Sequence, residues 1–386
     1  MKQFIQTWRE SQRFLRDETA WDGLVVYSEG ESYAPYLRPM IDALADVYDG
    51  SVHYLTSDAA DRVLLDAPPH VKGFFIGKAS MRTYVFNQIR ANVVAMTMPD
   101  LNTFHIKRSP NVQHYTYFHH SMVSTHMVYR KGAFDHFDSI MCTGPYHSEE
   151  IRDWEASQKL PAKQFFDHGC PPLDALIKAA STTSAPPIGD NQRLNVLVAP
   201  SWGPEGLMET RAMDVVRILL DAGHFVRVRP HPRTRQLAGQ VINDLAVMFA
   251  DHPSFDMNED ISNHEALLQS HVMISDWSGV AMEFAFGLGR PVLFIDVPRK
   301  INNPDYSVVT PTPLEVSYRE EVGAIIKPDQ LDELPAALAA LMAEAPAIQT
   351  KVIKLRERQF YNLGTSAKRG AEILAEIATR TKSKRP

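Results

Sequence analysis

Cysteine is nearly absent. Cys142 and Cys170 are the only two in 386 residues, which rules out a disulfide framework and fits a reducing, cytoplasmic setting. Positive charge is not in excess either. The 40 Lys+Arg against 46 Asp+Glu leave a formal net charge of −6, so a globally basic nucleic-acid binder is disfavoured. No uninterrupted apolar run approaches the roughly 20 residues that cross a bilayer. The opening MKQFIQTWRESQRFLRDETAW lacks a signal-peptide core, because charges interrupt it every few residues. No internal sequence repeat is visible.

What remains is the composition of a folded protein, 44% hydrophobic and 22% charged, at a length that suits two domains. At the N-terminus Phe4, Trp8, Gln12 and Leu15 fall at helical spacing, a stripe expected to pack on the protein's own core. The basic ending ATRTKSKRP is expected to be solvated.

Short β-branched or aromatic runs recur along the first half: GLVVYSEG, SVHYLTSD, VKGFFIG, ANVVAMTM, QHYTYFHH, SIMCTG and QFFDHGC. Their spacing predicts parallel strands joined by helical crossovers. STTSAPPIGDNQR, residues 181–193, is small, polar and proline-bearing, and reads as a linker. The pattern then restarts with LNVLVAPSW, HFVRVRPHP, HVMISDWSG, PVLFID and GAIIKPD. Gly223 is placed to end the helix before HFVRV, and the closing helical stretch breaks near Gly364. The expectation is α/β: two Rossmann-like, doubly wound domains facing a cleft, with the C-terminal helix crossing back to the N-terminal domain. The bounds read from the sequence are 1–180, a linker at 181–193, 194–348, and a helix and tail at 349–386.

In open parallel sheets ligands bind at the carboxyl ends of strands. Three strand ends of the second domain carry marked residues. In ISDWSGVAMEFAFGLGRPVLFID, residues 274–296, Ser275, Asp276, Ser278 and Gly279 lie between a buried strand and a helix, with Glu283 one turn further on. A helix start offers free N–H groups to an anion, and Glu283 could reach a ribose or polyol hydroxyl. The plainer reading makes the serines helix caps and Glu283 a partner of the helix dipole. In VRVRPHPRT, Pro230 and Pro232 stiffen the chain around Arg229, His231 and Arg233, which suits anionic oxygens; the plainer reading is a solvated basic turn. In VLVAPSWGPEG, Ser201 could donate to a phosphate and Trp202 could be a platform for a base, or simply core.

The first domain has its own concentration. Residues 105–168 hold eight of the 15 histidines, with His119 and His120 directly after a strand. Zinc-site spacing is missing and no acidic pair completes one, so a catalytic base is the preferred reading, with no metal or cofactor.

These blocks, taken in order, resemble the CDP-glycerol glycerophosphotransferases, teichoic-acid polymerase-like proteins with a GT-B fold. FHH (118–120) resembles a Trp-His-Gly block, GCPPLDAL a Gly-x-Pro-Arg-x-Asp turn, and VAPSW an Ala-Pro-Thr-Trp block. RPHP resembles Lys-Pro-His-Pro, SDWSGVAMEF a Ser-Asp-Tyr-Ser-Ser block, and RERQFYNLGTSAKRGAEIL a closing helix. The resemblance covers about residues 110–375 and implies His119 and His231 as catalytic. It implies Ser201, Trp202, Arg229, Pro230, Arg233, Ser275, Asp276, Ser278, Gly279 and Glu283 on the donor side, with His120, Ser121 and Arg130 as acceptor-side candidates. Three positions depart from the pattern: His120 stands for Gly, Pro172 for Arg, and Gly279 for Ser.

The implied reaction moves a polyol phosphate from a CDP-linked donor to a hydroxyl of a glycan or lipid-linked acceptor in cell-envelope polymer synthesis. It places the chain in the cytoplasm, with peripheral contact at the inner membrane face. In this reading His119 takes the acceptor proton and His231 donates to the diphosphate, or the two exchange roles. The alternatives are a GT-B glycosyltransferase using a nucleotide sugar, a nucleotide-sugar epimerase, and a non-catalytic glycan-binding relative.

Overall fold

The computed structural model describes residues 2–103, 106–183, 186–189, 192–260 and 264–382. His105, four positions of the 181–193 stretch and the last four residues of the basic ending lie outside the described residues. The chain forms two compact units. Unit 1 comprises Met1–Pro172, Asn302–Pro311 and Gln359–Pro386, and unit 2 comprises Leu173–Ile301 and Thr312–Arg358.

Unit 1 is built on seven strands: β1 (Leu24–Ser28), β2 (Val52–Thr56), β3 (Val71–Phe75), β4 (Ala91–Met96), β5 (Val112–Phe118), β6 (Ser139–Cys142) and β7 (Gln164–Asp167). Their order is β3-β2-β1-β4-β5-β6-β7, and every pairing is parallel. Each apolar run read from the first half of the sequence is one of these strands. Side chains alternate between two cores. Val25 and Tyr27 join one with Phe86, Tyr115 and Ile140, while Leu24 and Val26 join the other with Val93, Phe118 and Leu374. Burial on both faces explains why the runs are continuously apolar rather than alternating.

The second core is closed by the C-terminal helix Ser366–Lys382, whose Ala371, Ile373, Leu374, Ile377 and Ala378 are buried in it. Asn92 Nδ2 ties that helix down by donating to the Ala378 carbonyl at 2.6 Å. The break before it falls at residues 360–365, with Gly364 at φ 79°.

Unit 2 has six strands, β8 (Asn195–Val198), β9 (Phe225–Val228), β10 (Phe255–Met257), β11 (Val272–Ser275), β12 (Val292–Ile295) and β13 (Gly323–Ile326), all parallel in the order β10-β9-β8-β11-β12-β13. The three-residue edge strand β10 was not visible in the sequence, where SFDMNED carries no β-branched run. Gly223 takes the left-handed conformation that ends the helix Ala212–Asp221, at φ 83°.

The unit boundaries differ from those read in the sequence. The first falls at Pro172, in the first turn of the helix Pro171–Thr182, because Leu173 and Leu176 of that helix are buried in unit 2, where Gly287 leaves no room for a Cβ beneath Leu176. Residues 302–311 belong to unit 1, and the chain rejoins it from Gln359 rather than from position 349.

Two expectations need correction. The N-terminal helix Lys2–Leu15 buries Thr7, Ser11 and Phe14, so the inward face is rotated away from the Phe4–Trp8 stripe; Phe4 is 64% and Trp8 44% exposed. Trp8 lies against Tyr84 with ring centroids 5.5 Å apart, and Gln12 bonds the Tyr84 hydroxyl. The second concerns apolar length. Leu331–Gln359 is long and apolar enough to cross a membrane by length and composition, although Leu334, Leu338, Leu341, Ile348 and Val352 of this stretch are buried in the protein.

Candidate active site

In unit 1 strand β5 delivers Tyr117, His119 and His120 to the carboxyl edge of the sheet. The His119 backbone N–H donates to the Met141 carbonyl of neighbouring β6, which extends the ladder one residue past the strand. Its ring is 2% exposed, with neither nitrogen hydrogen-bonded. The imidazole stacks on that of His147, centroids 3.7 Å apart and planes 22° from parallel, and stands edge-on to Tyr117 at 4.9 Å.

His147 sits in the first turn of the helix Pro145–Gln158. Its Nδ1 accepts from the Thr143 N–H at 3.3 Å, which leaves Nε2–H to donate to the Val123 carbonyl at 3.1 Å. The neutral tautomer is thereby set. Burial pushes the His147 pKa down to about 4. Burial, followed by the neighbouring His147, His120 and His168, holds His119 well below the ordinary histidine value. His119 is therefore a neutral imidazole with an unoccupied lone pair, the form a proton acceptor needs.

The acceptor-side candidates are placed differently. His120 Nδ1 is 3.2 Å from the Tyr117 hydroxyl, its ring also bonds the Thr97 backbone, and it lies edge-on to Tyr33 and Tyr36. Its bonds are internal to unit 1, and burial lowers its pKa to about 4. These bonds brace β4 against β5. Ser121 accepts the Val123 N–H in a local turn. Arg130 lines a cavity of about 20 Å³ with His126, Trp154 and Asn303. Residues 302–311 strap this loop, with the Asn302 N–H donating to the Met127 carbonyl at 3.0 Å and Asn303 Nδ2 to that of His126 at 3.0 Å.

In unit 2 the segments after β9 and β12 carry a cationic group, Arg229, Arg233 and Lys300, beside the ends of β8 and β11. His231 is the N-cap of the helix Pro232–Met248; its Nδ1 accepts the Arg233 N–H at 3.1 Å, so the proton of the neutral ring sits on Nε2. Burial first, then Lys300, Arg233 and Arg229, lowers its pKa to about 4. Capping through Nδ1 leaves Nε2–H as the ring's remaining donor. Pro230 ends the strand and Pro232 occupies N1, where no N–H is needed.

Trp202 lies 6.3 Å from the His231 ring, with the Arg233 guanidinium 4.3 Å and the Lys300 ammonium 3.3 Å from its centroid. Cations therefore lie over the indole that the sequence offered as a platform for a base. Burial, with Arg233 adding to it, lowers the Lys300 pKa to about 8 against the opposing pull of Asp276.

Three donor-side readings are corrected. Asp276, 1% exposed, accepts the Ser201 N–H at 2.6 Å, the Ser201 hydroxyl at 3.0 Å and the Leu207 N–H at 2.9 Å. It organises the β8 loop from within, and the Ser201 hydroxyl proton is spent on it. Ser275 donates to the Ala199 carbonyl at 2.7 Å and so pins β11 to β8. Ser278 stands at the N-cap of the helix Gly279–Leu288 without a side-chain cap bond, and Glu283 is half-buried on the second turn. That helix start and Gly279 stay available to an anion.

The sequence reading missed Lys300 and Glu209. Lys300 follows β12 in IDVPRK, a fourth strand end whose basic pair was the signal. Glu209 had none: its Oε1 accepts the Gly203 N–H at 3.2 Å, and burial raises its pKa.

A sequence profile of the family described as CDP-Glycerol:Poly(glycerophosphate) glycerophosphotransferase matches residues 112–369, two thirds of the chain. No curated protein matches at the sequence level. Among solved structures, UDP-GlcNAc 2-epimerase from Neisseria meningitidis bound to UDP-GlcNAc is 14% identical with a TM-score of 0.60, covering 92% of this chain and 99% of that one. The S. aureus MnaA-UDP co-structure is 14% identical with a TM-score of 0.57, covering 89% and 93%. The Methanocaldococcus jannaschii UDP-GlcNAc 2-epimerase in complex with UDP-GlcNAc and UDP is 13% identical with a TM-score of 0.52, covering 93% and 99%. At these identities the likeness is one of fold, two parallel-sheet α/β domains of the GT-B type.

Proposed function

Because the chain belongs to the CDP-glycerol:poly(glycerophosphate) glycerophosphotransferase family, we propose that it transfers a polyol phosphate from a CDP-linked donor to an acceptor hydroxyl. The acceptor oxygen attacks the distal phosphorus, a P–O bond forms, the P–O bond to the proximal phosphate breaks, and CMP leaves. The acceptor proton passes to His119. The carrying observation is the family match, which includes both the His119 and the His231 blocks.

The geometry supports these roles. Phosphoryl transfer is limited by alignment and by charge on the transferring oxygens, so it needs fixed cations and donors more than covalent chemistry. Arg229, Arg233 and Lys300, the Nε2–H of His231 and the N–H groups at Gly279 supply them in unit 2. A dianionic diphosphate beside His231 would raise its depressed pKa and favour proton donation to the leaving phosphate. The donor's polyol, the acceptor's place in the cell envelope and peripheral contact with the inner membrane face belong to the same proposal.

Phosphorus NMR of the protein with CDP-glycerol and a hydroxyl acceptor tests it. CMP and a new phosphodiester resonance should appear together. Unchanged CDP-glycerol, with turnover of a UDP-linked sugar instead, would move the protein to the nucleotide-sugar transferases.

A further inference from the structure

The cavity of about 20 Å³ beside the loop that follows His119 and His120 lies wholly within unit 1, and the transfer described above makes no use of it. Thr125, His126 and Asn303, each at most 5% exposed, form its floor. Arg130, Asp135 and Trp154 stand at its mouth, Arg130 exposed and the other two half-buried. Neither ring nitrogen of His126 has a hydrogen-bond partner. The buried Glu150 carboxylate stands beside that ring, with Oε2 3.4 Å from Nδ1. The Thr125 N–H and hydroxyl fix this oxygen, each donating to it at 2.6 Å. Tyr306 stacks on the imidazole, ring centroids 6.4 Å apart.

In the neutral ring the Glu150 carboxylate holds the proton on Nδ1, so the lone pair of Nε2 is left over. The volume admits one water-sized group, and a hydroxyl is one. The surrounding charges are mixed. Arg130 is cationic and feels Asp100, while Asp135 and Glu150 are carboxylates; Lys131 is paired with Asp305 at 2.7 Å. A fully ionised phosphate oxygen brings no proton for Nε2 and meets Asp135 and Glu150, and an ammonium group meets Arg130. A hydroxyl can donate to Nε2 and accept from a guanidinium at once. The Trp154 indole N–H donates to Asp135 at 3.0 Å and so holds that carboxylate at the mouth, where the ring adds aromatic surface for the C–H groups of a sugar or polyol.

We propose that this cavity is a hydroxyl-binding subsite: one hydroxyl of a sugar or polyol enters it and donates to Nε2 of His126, with Arg130, Asp135 and Trp154 against the neighbouring atoms. Phe134, another wall of the cavity, has its ring 5.4 Å from that of His119, so the bound unit lies one aromatic ring away from the proposed base. Its assignment to the acceptor rests on the reading of His119 as that base.

NMR of the intact protein labelled with ¹⁵N-histidine, without any nucleotide, tests the proposal. The probes are ribitol, methyl glucoside and inorganic phosphate, added separately, and the spectrum of His126→Gln identifies the His126 signals. Nε2 of His126 should move upfield with ribitol or the glycoside and stay in place with phosphate. Arg130→Ala changes an exposed residue, and its melting transition checks the fold; it should weaken probe binding about tenfold. An Nε2 signal unmoved by both uncharged probes at tens of millimolar leaves an ordered water only and overturns the proposal. So does a response confined to phosphate, or affinity unchanged in Arg130→Ala. A protein that binds these probes yet releases no CMP from CDP-glycerol refutes the phosphotransfer reading and leaves the hydroxyl site standing. CMP release without probe binding does the reverse.

Discussion

The carboxyl ends of the two sheets carry opposite kinds of chemistry on the same architecture. In unit 1 they carry neutral rings: His119, His147 and Tyr117 packed on one another, each imidazole depressed by burial. In unit 2 they carry charge: Arg233 and Lys300 against Trp202, with His231 held neutral beside them. A neutral imidazole with a free lone pair is of use to a hydroxyl that must lose a proton, and a group of cations at a helix start is of use to a diphosphate. The difference lies in the loops, since both sheets are parallel and buried on both faces. In the reaction proposed above, unit 1 would handle the proton and unit 2 would hold the anion.

The largest expected effect breaks the first half. His119→Ala should lower turnover by about 10²–10⁴-fold while leaving nucleotide affinity unchanged, read by CMP release and calorimetric titration. Full activity in this variant would remove His119 from the chemistry. Next comes Asp276→Ala. It strands the N–H groups of Ser201 and Leu207, and chemical denaturation should show a loss of about 3 kcal/mol. If stability held and only affinity fell, Asp276 would be a ligand contact after all.

The pH dependence of stability sharpens the comparison. His147 and His168 have folded pKa values lowered to about 4 and about 3 by burial, against 6.5 unfolded. The unfolded chain binds protons first, so stability is full above pH 6.5 and declines as pH falls towards those values. Each residue should cost about 2 kcal/mol between pH 6.5 and 5. Urea midpoints at pH 7, 6 and 5 check this, and His147→Phe should flatten the decline. The smallest effect is Lys300→Ala, which should weaken nucleotide diphosphate binding about tenfold and make it less sensitive to salt.

The fold was legible because strands buried on both faces are written as continuous apolar runs; twelve of the thirteen strands correspond to such runs, and the exception, β10, is three residues long at an edge. The candidate site was legible where a loop concentrates unusual residue types, as in FHH and RPHPR. It was misread where a polar residue serves the loop itself. Asp276 and Ser275 carry the same letters whether they face a ligand or the backbone of β8, and only the hydrogen bonds decide. Lys300 and Glu209 reach the site through tertiary packing, and Glu209 left no local pattern.

The central claim is that unit 2 holds a CDP-linked donor. Its most direct test is calorimetric titration of the intact protein with CDP, UDP and GDP at equal ionic strength. Tighter binding of CDP, weakened in Lys300→Ala, is the predicted result. Preference for UDP or GDP would contradict it.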